Sequence, residues 1–193
     1  MIEIKPKLIQ DCAVRVPGSK SYTHRILIAA GLADGSCTIE NGLNSEDTRL
    51  TINALQKMGV AIAESADGLT VTGTRGDLKG CKEPIYLGNS GTSMRLLTAL
   101  AAIGQGTYTL TGTPRMQERP LQELLDGLEQ IGIRAWSVNR TGCPPVKVEG
   151  APVPGGTVAL DCRKSSQYLS ALLLIAPYTR DGLEIQVAYG PVS

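Results

Sequence analysis

Four short stretches of this chain gather the side chains that bind and rearrange small anions. Lys20, Ser21 and Arg25 follow the turn Pro17-Gly18-Ser19, and Asn89, Gly91, Thr92 and Arg95 lie in Gly88-Asn89-Ser90-Gly91-Thr92-Ser93-Met94-Arg95. Arg115 and Arg119 stand in Pro114-Arg115-Met116-Gln117-Glu118-Arg119-Pro120, and Ser165-Ser166-Gln167 forms the fourth stretch. The planar arginine fork matches paired carboxylate or phosphate oxygens, lysine supplies a compact charge, and hydroxyls and amides orient oxygens. Each stretch leads into a helical pattern, where unpaired backbone N–H groups and the helix dipole favour an anion. Ordinary helix caps with solvated basic residues have the same local appearance, so no single stretch decides the matter.

Other chemistries fit less well. Gly18-Ser19-Lys20-Ser21 resembles the end of a P-loop, but Gly and Lys are not adjacent and the upstream glycine is missing. Gly104-Gln105-Gly106 precedes a strand pattern instead of opening a helix, so it is no dinucleotide fingerprint. His24, the single histidine, is flanked by Thr23 and Arg25 and reads as a surface residue. Glu46, Asp47, Asp126 and Glu129 read as solvated helix faces, and none stands out as a general base.

Composition narrows the class. The 193 residues are 42% hydrophobic and 19% charged, the balance of a folded, soluble protein. A net charge of +1, six Tyr, one Trp and no Phe argue against a nucleic-acid partner, and no apolar run approaches bilayer length. The core is expected from Leu, Ile, Val and Ala. Cys12, Cys37, Cys81, Cys143 and Cys162 show no CxxC spacing, which points to reduced thiols, a cytoplasmic location and no metal. The start Met1-Ile2-Glu3-Ile4 reads as strand-like, with neither signal nor transit character.

The elements that position the four stretches alternate along the chain. Residues 1–16 read as extended, 21–32 as a helix capped by Ser19 or Ser21, and 36–40 as a strand. A second helix spans 46–58, with Ser45 as N-cap and Gly59 at its stop; strands 60–63 and 69–73 flank an Asp67-Gly68 turn. The order then restarts. Residues 87–93 form a small-residue turn into a helix over 94–103, followed by strand 107–111, helix 121–130 with Pro120 in its first turn, and strands 133–138 and 146–149. A third round holds strand 158–160, helix 168–176, an Asp181-Gly182 turn and strand 183–187. Arg25-Ile26-Leu27 and Arg95-Leu96-Leu97 lie seventy residues apart, and Ala54-Leu55-Gln56-Lys57-Met58-Gly59-Val60 matches Gly127-Leu128-Glu129-Gln130-Ile131-Gly132-Ile133. The pattern predicts an α/β fold of repeated βαβαββ units at about 14–83, 84–150 and 151–193, the last incomplete. The chain is therefore expected to be the front part of a longer one.

With these motifs in this order and at these gaps, the chain resembles the 5-enolpyruvylshikimate-3-phosphate synthase family of enolpyruvyl transferases. The resemblance covers the whole chain but only about the first half of a full-length member. It implies one lobe of a two-lobed fold, and transfer of enolpyruvyl from phosphoenolpyruvate to the 5-hydroxyl of shikimate 3-phosphate with release of phosphate. It implies a cytoplasmic monomer without metal or organic cofactor. Position by position, Lys20 would be catalytic and lie between the two substrates, while Ser21 and Arg25 would hold the shikimate carboxylate. Ser165, Ser166 and Ser193 would bind the 3-phosphate, and Gln167 would touch both substrates. Gly91 and Arg115 would border and bind phosphoenolpyruvate, whereas Asn89, Thr92 and Arg95 would shape their loop and Arg119 would be structural.

The resemblance has gaps. Leu96 stands where many glyphosate-sensitive members carry proline, so sensitivity to that inhibitor does not carry over. The carboxylates that supply acid–base chemistry, and further phosphoenolpyruvate ligands, belong to the second lobe, which is expected as the partner; the fragment alone should not turn over. A sister family acting on a UDP-linked amino sugar resembles Asn in place of Ser21 and a Cys in place of Pro114. A non-catalytic anion-binding module is the remaining alternative.

Overall fold

The computed structural model describes residue 3 and residues 11–65 and 68–190. Ser193 and the Asp67 side of the predicted turn lie outside them, as do most of residues 1–10. Among the described residues, five α-helices and nine strands follow in order: α1 (Lys20–Leu32), β1 (Ser36–Ile39), α2 (Glu46–Lys57), β2 (Ala61–Ser65), β3 (Gly68–Thr72), β4 (Ile85–Tyr86), α3 (Gly91–Ala102), β5 (Gly106–Thr111), α4 (Gln122–Gln130), β6 (Arg134–Ser137), β7 (Val146–Gly150), β8 (Gly156–Asp161), α5 (Gln167–Ile175) and β9 (Leu183–Tyr189). Single 3₁₀ turns occupy Met116–Glu118 and Ala176–Tyr178.

The strands form three small sheets. β3 is central between β1 and β2, antiparallel to both, with Ser36 opposite Thr72 and Ile62 opposite Val71. The second sheet, in order β4-β5-β7-β6, repeats that arrangement in β5-β7-β6 and adds β4 parallel to β5. In the third, β8 pairs parallel with β9 across α5, as β4 pairs with β5 across α3. A parallel pair requires such a crossover, and a helix supplies it here.

α3 lies at the centre. Ten of its twelve residues are buried, and it packs against α1, α2, α4 and α5 as well as β5 and β7. The core is built largely from Leu, Ile, Val and Ala, as expected, but Tyr108 and Tyr168 are also fully buried. Their hydroxyls stay satisfied, donating to the carbonyls of Leu78 (3.1 Å) and Pro120 (2.8 Å).

Several boundaries differ from those read in the sequence. α3 starts at Gly91, capped by Ser90, because burial on nearly every side outweighs the weak helix propensity of Gly91, Thr92 and Ser93. Pro120 lies outside α4, whose N-cap is Leu121. Residues 12–19 form no strand, so the first round lacks the opening strand expected over 1–16 among the described residues.

Candidate functional site

All five helices begin at one end of the molecule, and side chains tie these starts together. Lys20, the first residue of α1, places Nζ 3.0 Å from Asp47 Oδ2 in the first turn of α2. Ser93 in the first turn of α3 lies 3.4 Å from the Asp47 carbonyl oxygen. Gln167, the first residue of α5, donates to Thr92 Oγ1 at the start of α3 (3.0 Å). Lys164, just before α5, pairs with Glu123 in the first turn of α4 (2.6 Å). Five sets of first-turn N–H groups therefore lie together, the arrangement that favours anions.

The start of α1 is set by local chemistry. Ser19 caps it by accepting from the Tyr22 amide (3.5 Å), and Gly18 lets the chain enter beside the 41–43 loop, where a Cβ would collide with the Asn41 carbonyl oxygen. No acidic residue occupies the first turn, and Lys20 faces the positive end of its own helix. Asp47 offsets that unfavourable placement from α2. The sequence pattern suggests a solvated carboxylate, but Asp47 is partly covered, with 28% of its side chain exposed, and it bridges two helices. Arg25 lies one turn further on, donating through Nη1 to the Ser21 carbonyl (2.9 Å) and through Nη2 to Ser170 Oγ of α5 (2.9 Å).

At the start of α5, Ser165 Oγ accepts from the Gln167 amide (3.2 Å), whereas Ser166 makes no side-chain capping bond. The Gln167 carboxamide is clamped at both ends: its Nε2 donates to Thr92, and its Oε1 accepts from Arg95 Nη1 (3.2 Å). Arg95 also donates to the Gly91 carbonyl (3.1 Å) and lies over the Tyr168 ring (5.6 Å). Thr92 and Arg95 thus fix the orientation of Gln167, a role their positions far away in sequence do not disclose. A Cβ on Gly91 would stand 2.6 Å from Arg119 Nη1 and 2.8 Å from Arg95 Nη1, so the glycine makes room for two guanidinium groups.

Arg115 is placed differently from the other expected residues. It leads into the 3₁₀ turn and pairs with Glu118 Oε2 (2.6 Å); with 72% of its side chain exposed, it bonds to no other described residue. The structure thus brings together Lys20, Ser21, Arg25, Gly91, Ser165, Ser166 and Gln167, leaves Arg115 turned to its own loop, and leaves Ser193 outside the described residues.

His24 is fully buried, not a surface residue. It shares a stripe with Leu27, Ile28 and Gly31, all buried, at i, i+3, i+4 and i+7. That register was readable in the sequence, but its polar neighbours Thr23 and Arg25 obscured it. Nδ1 lies 2.8 Å from Thr51 Oγ1 of α2. Burial, helped by the charges of Lys20 and Arg25 and opposed by Asp47, pushes its pKa down to about 4.

Comparison with known proteins bears on the family and the fold. The family described as EPSP synthase (3-phosphoshikimate 1-carboxyvinyltransferase) matches residues 5–192. A 3-phosphoshikimate 1-carboxyvinyltransferase of Methanospirillum hungatei is 45% identical over 92% of this chain and 41% of its own length. One from Sulfurovum sp. is 43% identical over 96% of this chain and 44% of its own length. The EPSP synthase of Acinetobacter baumannii superposes with a TM-score of 0.78 at 31% identity, covering 86% of this chain and 38% of that one. The enolpyruvyl transferase NikO of Streptomyces tendae shares the fold, with a TM-score of 0.60 at 18% identity over 90% of this chain and 39% of its own. The chain spans less than half the length of these relatives. With the motifs gathered at one end and the match running over nearly every residue, the chain belongs to the EPSP synthase (3-phosphoshikimate 1-carboxyvinyltransferase) family.

Proposed function

We propose that this chain is the shikimate-binding lobe of an enzyme that transfers enolpyruvyl from phosphoenolpyruvate to the 5-hydroxyl of shikimate 3-phosphate. The observation that carries the proposal is the convergence of five helix starts around exposed Lys20, half-buried Arg25 and Ser166, and the clamped Gln167. The 3-phosphate is assigned to the start of α5, where the Ser166 hydroxyl is not used as a cap and the dipole is directed at the ligand. Ser193 would be a further phosphate ligand. Arg25 and Ser21 hold the shikimate carboxylate, and Gln167, prevented from rotating by Thr92 and Arg95, orients the ring. Phosphoenolpyruvate takes Arg115, which exchanges Glu118 for the ligand, and lies near Gly91.

The reaction protonates the methylene carbon of phosphoenolpyruvate while the 5-hydroxyl adds to its neighbouring carbon. The hydroxyl proton is lost, and the resulting tetrahedral adduct then expels phosphate and a proton to leave the enol ether. Lys20, at the junction of the two substrates, balances the negative charge carried by this adduct. The acid–base carboxylates are assigned to a second lobe that closes over this one, so the chain alone binds shikimate 3-phosphate without turnover. We read the repeat units at about 14–83, 84–150 and 151–193 as this first lobe, and the complete enzyme as a cytoplasmic monomer using no metal or organic cofactor.

Titration of the 193-residue chain with shikimate 3-phosphate, followed by amide NMR, tests the reading. Shifts are expected at Ser21, Arg25 and Ser166 and not with a UDP-linked amino sugar. Silence at all three positions with millimolar ligand would overturn it.

A further inference from the structure

Beneath the ligand-facing end lies a polar group that none of the steps above uses. Nε2 of His24 is buried without a partner, while Nδ1 begins a chain of short contacts. Thr51 Oγ1 lies 2.8 Å from both His24 Nδ1 and Ser93 Oγ. Ser93 Oγ lies 2.6 Å from Ser90 Oγ and 3.4 Å from the Asp47 carbonyl oxygen. His24, Thr51, Ser90 and Ser93 are all fully buried, so these bonds join α1, α2 and α3 away from water.

Proton accounting gives the chain a direction. A buried N–H without an acceptor is rarer and costlier than a buried acceptor without a donor. The neutral imidazole therefore carries its hydrogen on Nδ1 and leaves Nε2 as a bare acceptor. Nδ1–H donates to Thr51, Thr51 donates to Ser93, Ser90 donates to Ser93, and Ser93 donates to the Asp47 carbonyl. Every hydrogen then has an acceptor, whereas the reverse polarity leaves an Nε2–H unpaired.

The far end of the chain is the residue that pairs with Lys20. We propose that His24 is a positioning residue for Lys20: its Nδ1–H anchors a hydrogen-bond chain that fixes the first turn of α2, and with it the Asp47 carboxylate beside the lysine. The proposal rests on the functional reading above only in taking Lys20 to face substrate. The charged groups around His24 are Lys20 and Arg25 of α1, which with burial keep the imidazole neutral at ordinary pH, and Asp47 of α2, which opposes them.

The test uses the 193-residue chain, in which His24 is the single histidine and its imidazole ¹⁵N signals are unambiguous. At neutral pH the spectrum should show the Nδ1–H tautomer. His24→Leu and Thr51→Val should each shift the Lys20 ammonium signal and weaken shikimate 3-phosphate binding about tenfold. His24→Asn, whose side-chain NH₂ can donate to Thr51, should restore affinity to within about threefold of the parent. An Nε2–H tautomer overturns the proposal, as does a folded His24→Leu chain with unchanged Lys20 signal and affinity. Should His24→Leu fail to fold, Thr51→Val decides by the same two readouts. If the parent chain does not bind shikimate 3-phosphate, the functional reading fails, and the tautomer and Lys20 signals still decide the positioning role.

Discussion

α1 and α5 begin at the same end of the molecule, yet the first turn of one is cationic, capped and ion-paired, and that of the other is uncharged behind an idle hydroxyl. At α1, Ser19 is occupied as a cap, Lys20 is held by Asp47 and Arg25 by Ser170. At α5, Ser166 makes no capping bond and the fixed group is Gln167. Cations at the positive end of a helix are locally unfavourable, so α1 keeps its charges only because neighbouring helices offset them. The difference teaches a division of labour. On the proposed function, the α1 start holds charge ready for exchange with a ligand, and the α5 start offers dipole and hydroxyl that need no exchange.

Acid should separate the two starts most strongly. His24, beneath α1, titrates at about 4 in the folded chain against 6.5 unfolded. Between those values the unfolded chain holds the extra proton. Stability is therefore full above pH 6.5, falls as pH drops through the window, and levels off below about 4. The whole window is worth about 3 kcal/mol. Denaturant melts across this range should show the slope, with amide exchange rising in α1 and α2 before α5. His24→Asn should flatten the slope; a variant that keeps it would place the titrating group elsewhere.

The arginines supply the next test. If Arg25 holds the shikimate carboxylate as proposed, its removal should weaken shikimate 3-phosphate binding by about 1.5–3 kcal/mol, read by calorimetry. Arg115→Ala should cost a similar amount in the complete enzyme, but in phosphoenolpyruvate use, seen as kcat/KM for that substrate. An Arg115→Ala enzyme with unchanged kinetics would remove that residue from the site and leave it as the partner of Glu118 alone.

Much of this arrangement was legible in the residues, and the parts that were not have physical reasons. α2 was readable at both ends, because Ser45 caps it, Glu46 and Asp47 suit its dipole, and Gly59 takes the left-handed φ of 96° that stops it. The four motifs read as chemistry suited to anions, and the structure ties the first, second and fourth of them together by side-chain bonds. The start of α3 was misplaced because Gly91, Thr92 and Ser93 are weak helix formers whose conformation is dictated by burial. Asp47 looks solvated because its partner lies on another helix, and local pattern cannot report an ion pair across twenty-seven residues; His24 looks exposed because Thr23 and Arg25 mask its buried stripe. The clamp of Arg95 on Gln167, across seventy-two residues, was hidden for the same reason.

The two adjacent serines of α5 give the smallest and sharpest test, because the structure assigns them different work. Ser165 accepts from the Gln167 amide, so Ser165→Ala leaves that donor unpaired at the helix start and should lower stability by about 0.5–2 kcal/mol. Ser166 makes no such bond, so Ser166→Ala should leave the denaturation midpoint within about 0.5 kcal/mol of the parent. In binding the order reverses: loss of the idle hydroxyl should weaken shikimate 3-phosphate by about 0.5–1.5 kcal/mol, the worth of one neutral hydrogen bond. Paired melts and titrations of the two variants read both quantities. If Ser166→Ala proves the more destabilising of the two, its hydroxyl serves the helix and the contrast between α1 and α5 is lost.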